Sequence, residues 1–290
     1  MVSVSIERQE AILRERIGRF FASRARERRQ LLRTLKTLNG FSAPVYIFGG
    51  VIRDLMLSGP SISPRDVDLV VGRIDLHDMT TVFAEGLQRR NRFGGLHVAI
   101  HGWHFDVWPL AETWAFRRNS VTPVTFEMLP KTTFLNIEAV VVRLDTRKWR
   151  YREIYTRGFF EALLTRTLEI NCVANPYPIL CVVRSLLMAA KLNFSIGPKL
   201  ADYICEHTRT AGVDELMDVQ LQHYKRHVYD EDTFNRWLSA ITSQRKLSKM
   251  SPVRLPLNIS QLNLPEIHRP TVSDRLELGH KRRTSKLLWY

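Results

Sequence analysis

The sequence predicts an α+β protein in which a mixed-sheet unit is followed by a helical domain. Three observations carry that reading. Between residues 41 and 150, short β-rich runs alternate with turn residues. The stretches 51–57 and 76–90 carry helical periods among those runs, so helices interrupt the sheet. From Gly158 onward the strand pattern stops, and apolar residues recur at three- and four-residue steps. With 290 residues, 44% hydrophobic and 10% aromatic, the chain can bury a sizeable core; at roughly 100–200 residues per domain its length fits one large or two modest domains. The expected organisation is a basic helix over 1–40, a mixed α/β unit over 41–156, a helical domain over 157–250 and an extended basic tail over 251–290.

Each element has its own signal. From Ser3 to Leu38 the apolar residues Ile6, Leu13, Ile17, Phe20, Phe21, Leu31 and Leu35 keep the period of an amphipathic helix, which Asn39-Gly40 ends. Its other face carries Arg14, Arg16, Arg19, Arg24, Arg26, Arg28, Arg29 and Arg33, either a ridge that faces phosphates or a solvated surface. The strands are VYIF (45–48), DVDLVV (66–71), LHVAIH (96–101), WHFDVWPL (103–110) and IEAVVVRL (137–144), with His101-Gly102 as a hairpin turn between two of them. Helical periods run over 158–171, 178–193, 197–208, 212–227 and 231–244. Four prolines and no sustained period mark 251–290, which closes on the basic-aromatic stretch GHKRRTSKLLWY and reads as an extended arm.

Composition narrows the function classes. Lys and Arg number 43 against 29 Asp and Glu, a formal net charge of +14, which excludes an acidic ion buffer and predicts attraction to polyanions such as RNA, DNA and nucleoside triphosphates. Cys172, Cys181 and Cys205 have neither C-x-x-C spacing nor an even count, so buried reduced thiols are expected in place of a zinc site or a disulfide framework. The N-terminal residues lack the apolar core of a signal peptide and no later stretch is apolar enough to span a bilayer, so a cytoplasmic location with no membrane contact is expected.

The chemistry concentrates in VYIFGGVIRDLMLSGPSISPRDVDLVV. A strand ends in Gly49-Gly50 and a helix begins at once, which presents backbone amides and the positive end of a helix dipole without interference from a Cβ. Asp66 and Asp68 sit two apart on a strand, hence on one face, where two like charges call for a cation. A third acid, Asp106, lies on a later strand with Phe105 and Val107 on its opposite face. A neighbouring strand can bring it alongside the pair, and three carboxylates make an oxygen-only cage suited to Mg²⁺.

Together these residues resemble a family. Gly49-Gly50-Val51-Ile52-Arg53-Asp54, then Arg65-Asp66-Val67-Asp68-Leu69-Val70-Val71, then the lone Asp106, are similar in order to the DNA polymerase β nucleotidyltransferase superfamily, and most similar to the head domain of bacterial poly(A) polymerases and CCA-adding tRNA nucleotidyltransferases. The likeness extends to Arg184 and Ala189-Ala190-Lys191-Leu192-Asn193-Phe194-Ser195-Ile196, and covers roughly 41–208. It implies a polymerase β-like catalytic head, with Asp66, Asp68 and Asp106 as catalytic and metal-holding residues for two Mg²⁺ ions, for which Mn²⁺ can substitute. Gly49 and Gly50 are implied phosphate-cradling residues. Lys131, Arg184 and Lys191 are implied nucleotide contacts or solvated cations, Arg53 either pairs with a phosphate or fixes a neighbouring carboxylate, and Asp54 is a structural or capping acid. The implied reaction transfers NMP from an NTP to a hydroxyl with release of pyrophosphate, the acceptor being the 3′ end of tRNA or another RNA held by the basic helix and tail, an RNA-modifying toxin among the variants.

The departures bear on nucleotide choice. Lys131-Thr132-Thr133-Phe134-Leu135-Asn136 stands where the family has an Arg-Arg-Asp-Phe-Thr type of motif, and Pro178-Ile179, Cys181 and Leu187 stand where it has an Asp-Pro and two arginines. The family's Glu-Asp-x-x-Arg motif has no counterpart. Rival readings are a transferase that acts on a protein hydroxyl, a small molecule or a nucleotide; a metal-dependent nuclease, which has no need of the Gly-Gly turn; and a silent RNA-binding protein, which has no need of three acids.

Overall fold

A computed structural model of the chain describes residues 2–22, 29, 43–62, 64, 66–90, 94–100, 102–118, 121–144 and 152–257. They belong to two units, one of residues 1–164 with 171–174, the other of residues 165–170 with 175–290.

The first unit is built on a seven-stranded sheet. Its strands are β1 (Val45–Phe48), β2 (Asp66–Val71), β3 (Leu87–Arg90), β4 (Leu96–Ile100), β5 (Trp103–Pro109), β6 (Val140–Arg143) and β7 (Ile154–Thr156), in the order β3-β4-β5-β2-β1-β6-β7. Only β2 and β5 run parallel; all other neighbours are antiparallel, so the sheet is mixed as expected. Along β2 the residues Val67 and Leu69 are buried while Asp66 and Asp68 are half-buried, which is the period-two alternation of a strand with one apolar face.

Helices α1 (Val2–Ala22) and α2 (Gly50–Ser58) pack together, and α2 packs on β1 and β2 through Val51, Ile52, Leu55 and Met56. Leu13, Ile17 and Phe20 of α1 are fully buried, and the Phe20 ring meets Trp103 edge-on at 6.5 Å. Three of the four arginines in the described part of α1, namely Arg14, Arg16 and Arg19, make contacts within the protein. Arg14 pairs with Glu10, Arg19 with Glu15, and Arg16 donates to the carbonyls of Leu55 and Met56 near the C-terminus of α2. Arg29 is exposed, and Arg24, Arg26, Arg28 and Arg33 lie outside the described residues.

Several expectations are corrected. The helical reading of 76–90 ends early, because α3 spans Leu76–Val82, a single turn follows at Ala84–Gly86, and Leu87–Arg90 is the edge strand β3. Gly86 is the reason for the change. A Cβ there would meet Ile100 Cγ1 at 2.3 Å, so the backbone approaches β4 as only glycine allows and the chain leaves the helix to pair with that strand. The strand over 137–144 is shorter, since Asn136–Glu138 forms a turn before Val140–Arg143. Strand β7 and a four-residue helix α4 (Trp114–Arg117) lack a clear period in the sequence.

In the second unit, α6 (Pro178–Leu192), α7 (Pro198–Tyr224) and α8 (Glu231–Leu247) pack in succession, with the two-residue strands β8 (Thr167–Leu168) and β9 (Ser195–Ile196) paired beside them. The helix expected over 158–171 is α5 (Phe159–Thr165), cut short by β8. The two helices expected over 197–208 and 212–227 form one element broken at Gly212, whose φ of 72° and ψ of −179° are not helical. The first part of the expected tail is packed, with Val253 and Leu255 buried, Val253 bridged to Ile196 and Trp237 Nε1 donating to Pro256 O. Residues 258–290, including the basic-aromatic end, lie outside the described residues. All three cysteines are free thiols; Cys181 is buried as expected, whereas Cys172 and Cys205 are only half-buried. Among the described residues no helix is long and apolar enough to cross a membrane.

Candidate active site

The site starts from the strand-to-helix turn. Gly49 adopts φ 66° and ψ −119°, a conformation open to glycine and costly for any residue with a Cβ. Its N–H donates to Val140 O at 3.1 Å, which keeps it in the sheet, while its carbonyl accepts from the amides of Ile52 and Arg53 and starts α2. The amide of Gly49 is therefore committed to β6, and the N-terminal amides of α2 begin with Gly50.

Beside this turn the sheet lines up the acids. Residues directly opposite on paired strands share a face. Asp68 lies opposite Phe48 on β1 and opposite Asp106 on β5, and Asp106 in turn lies opposite His97 on β4. One cross-strand row thus reads His97, Asp106, Asp68, Phe48. Asp66 is two residues along β2 on the same face, opposite His104. The three acids that the sequence singles out are brought to one face of two adjacent strands, β2 and β5, immediately next to the Gly49-Gly50 turn. Farther along that face an aromatic cluster closes the unit, with Tyr46 stacked on Phe126 at 3.9 Å and Phe48, Trp108 and Tyr155 packed at its border.

Two further residues of the site were not singled out by the sequence, a partner of Asp106 and a partner of Arg53. His97 Nδ1 pairs with Asp106 Oδ1; the carboxylate can only accept, so Nδ1 carries the proton. The signal for this pair is local. Ile100 lies opposite Trp103, and counting back along the two strands places His97 opposite Asp106. The second partner is Glu138. Arg53, only 8% exposed, donates to Asp54 Oδ1 at 2.8 Å and to Glu138 Oε1 at 3.0 Å. Burial by itself would push the Arg53 guanidinium down, but Asp54, Glu138 and the nearby charge of Asp68 hold it above its ordinary value. Of the two roles that the sequence left open for Arg53, its contacts match the one that fixes neighbouring carboxylates.

The other expected nucleotide contacts belong to other elements. Lys131, half-buried, sits in the turn Leu129–Thr132, and the segment after it is locked by Asn171, whose side-chain amide donates to Pro130 O at 2.7 Å and Thr133 O at 3.1 Å. Arg184 is half-buried and Lys191 exposed on α6 of the second unit, where Cys181 and Leu187 are buried in packing.

The donor set fits Mg²⁺ in kind, being carboxylate oxygen throughout. Among the described residues no group of three or more His, Cys, Asp or Glu is gathered into a metal-holding cluster. Asp106 pairs with His97 through Oδ1.

No protein-family model matches the sequence, and comparison with curated proteins finds no match. Solved structures do match. A CCA-adding enzyme in complex with CTP aligns with TM-score 0.57 at 16% identity over 79% of this chain and 55% of its own. A tRNA-processing enzyme in an apo form aligns with TM-score 0.51 at 16% identity over 75% and 56%, and a complex of a tRNA-processing enzyme with TM-score 0.50 at 15% over 73% and 55%. The chain therefore spans just over half the length of the structures it matches. At this identity the likeness establishes architecture, and the chain shares the fold of the corresponding part of these tRNA-processing and CCA-adding enzymes.

Proposed function

We propose that the chain is a nucleotidyltransferase that moves NMP from an NTP to a hydroxyl of an RNA acceptor, with pyrophosphate as the leaving group. The observation that carries this reading is the cross-strand placement of Asp68 opposite Asp106, with Asp66 on the same face, directly beside the Gly49-Gly50 turn. Asp66, Asp68 and Asp106 hold the divalent ions in this reading. When bound, such ions lower the pKa of the attacking hydroxyl and neutralise charge on the leaving phosphates.

The chain's own residues do the rest. The N-terminus of α2, entered through Gly49 and Gly50, faces phosphate with amides and the positive end of its dipole. Arg53, pinned between Asp54 and Glu138, orients the first turn of α2 and lends positive charge to the side of Asp68. His97 orients Asp106 through its Oδ1. Lys131, Arg184 and Lys191 are proposed as nucleotide contacts. An RNA acceptor is favoured by the net charge of +14 and by the fold shared with CCA-adding and tRNA-processing enzymes. A cytoplasmic location belongs to the same reading.

The test is incubation of the purified protein with each labelled NTP, Mg²⁺ or Mn²⁺ and total RNA, with pyrophosphate measured alongside. Label in RNA with equimolar pyrophosphate is expected, abolished by EDTA. Replacing Asp68 by Asn should remove several kcal/mol of transition-state stabilisation, more than about a hundredfold in kcat, with Tm held or raised because a like-charge repulsion is relieved. RNA shortened without pyrophosphate would indicate a nuclease, and label in protein or small molecules would move the acceptor class.

A further inference from the structure

The row of residues that carries the acids does not stop at His97. On the far side of β4 runs the edge strand β3, and its pairing with β4 is irregular: Leu87 lies opposite Val98, but Arg89 lies opposite His97 and Arg90 opposite Leu96. Continuing the first pairing without a bulge would set Gln88 opposite His97. One extra residue in β3 therefore shifts the strand and brings Arg89 into the row, which reads Arg89, His97, Asp106, Asp68 across four strands. Bulges at sheet edges next to reactive groups re-aim side chains in this manner.

The next residue is a built-in comparison. Arg90 pairs with fully buried Leu96 on the opposite face of the sheet, and its Nη2 donates to Thr80 Oγ1 of α3 at 2.7 Å. Two consecutive arginines of identical charge are thus split between the faces of the sheet, Arg89 on the face that carries the acids and Arg90 on the other. Arg89 stands on the Asp106 side of the row, away from the Gly49-Gly50 turn beside Asp68, so a phosphate it binds belongs to a different group from those cradled at the turn.

We propose that Arg89 is a phosphodiester-binding residue for the acceptor strand, seating an RNA backbone phosphate at the His97 end of the row so that the terminal hydroxyl reaches the acids. This rests on the nucleotidyltransferase reading above and adds to it a site for the acceptor, distinct from that for the NTP. A guanidinium suits a phosphodiester because its forked donors engage two oxygens at once.

The experiment compares Arg89→Gln, Arg89→Lys and Arg90→Gln. Equilibrium binding of fluorescein-labelled single-stranded RNA is measured by anisotropy without NTP or metal across a salt series, and KM is measured for RNA and for NTP. Arg89→Gln should weaken RNA binding about tenfold, as loss of one charge-assisted contact does, and lower the salt slope by about one. KM for RNA should rise while KM for NTP holds. Arg89→Lys should recover part of the affinity, and Arg90→Gln, with the same change in net charge, should bind as the wild type does. Equal losses in Arg89→Gln and Arg90→Gln, unchanged RNA binding in Arg89→Gln, or a rise in KM for NTP in place of RNA would each overturn the assignment. A wild-type protein that transfers no nucleotide yet shows the Arg89-specific loss of RNA binding keeps the phosphate site and sinks the transferase reading. One that transfers nucleotide with RNA binding indifferent to Arg89 does the reverse.

Discussion

Asp68 illustrates how one residue depends on its surroundings. It shares a strand face with Asp66, faces Asp106 across the sheet, and is balanced by the buried Arg53, which is itself divided between Asp54 and Glu138. Another charged cluster on the same sheet serves stability. Glu153 accepts hydrogen bonds from Tyr46 at 2.5 Å and Tyr155 at 3.3 Å and pairs with Arg143 at 3.1 Å. The Tyr46 hydrogen bond, opposed by burial and aided by Arg143, holds the Glu153 carboxyl below its ordinary range, while burial first and then Glu153 push the Tyr46 hydroxyl well up. A depressed carboxylate binds fewer protons in the folded than in the unfolded chain. Its stabilisation is therefore complete above the ordinary carboxylate value near ~4.3 and is lost as pH falls through the lower folded value. Glu153→Gln should flatten the acid limb of a Tm-against-pH curve between about pH 5 and 3; an acid limb identical to the wild type would remove Glu153 from this role.

At the scale of elements, the strand-to-helix turn and the bulged edge decide what the acids meet. Gly49 joins β1 to α2 while donating to Val140, and its φ of 66° with ψ of −119° leaves glycine as the fitting residue. A Cβ there has room, since its nearest neighbour would be Glu138 O at 3.9 Å. The cost of Gly49→Ala is therefore backbone strain, about 1–3 kcal/mol, to be read as a lower denaturation midpoint with an unchanged m-value. A midpoint equal to the wild type would show that the turn relaxes without glycine. Opposite this turn, β3 shows why an element can be misread. Leu87-Gln88-Arg89-Arg90 has no alternation of its own, and it pairs as an edge strand because Gly86 lets the backbone close on β4.

The whole molecule joins an acid-bearing sheet unit to a helical unit under a strong net positive charge. Its base selection is expected to be loose. By the resemblance drawn from the sequence, the positions of the CCA-adding family's base-reading arginines would fall at Cys181 and Leu187, both buried in the packing of the helical unit, with Arg184 the one arginine matched. Neither a thiol nor an alkyl group offers paired hydrogen bonds to a base edge, so discrimination falls to shape and stacking, which separate nucleotides less sharply. Given a tRNA lacking its 3′ end with CTP and ATP together, the protein should add one kind of nucleotide, or several without fixed order. Sequencing of the product ends checks this, and ends uniformly reading C-C-A would refute it.

By itself the sequence determined what depends on neighbours along the chain. A period of two put Asp66 and Asp68 on one strand face, and Gly49-Gly50 marked the abrupt passage from strand to helix. The tertiary structure decided what depends on residues distant in sequence. It set β2 parallel to β5, so that Asp106 faces Asp68; it brought Glu138 to Arg53 across 85 positions; and it inserted the bulge that carries Arg89 into line. The division has a physical cause. Side-chain periodicity fixes which face a residue occupies, whereas strand order and bulges are set by hydrogen-bond pairing and burial between segments that local pattern does not connect.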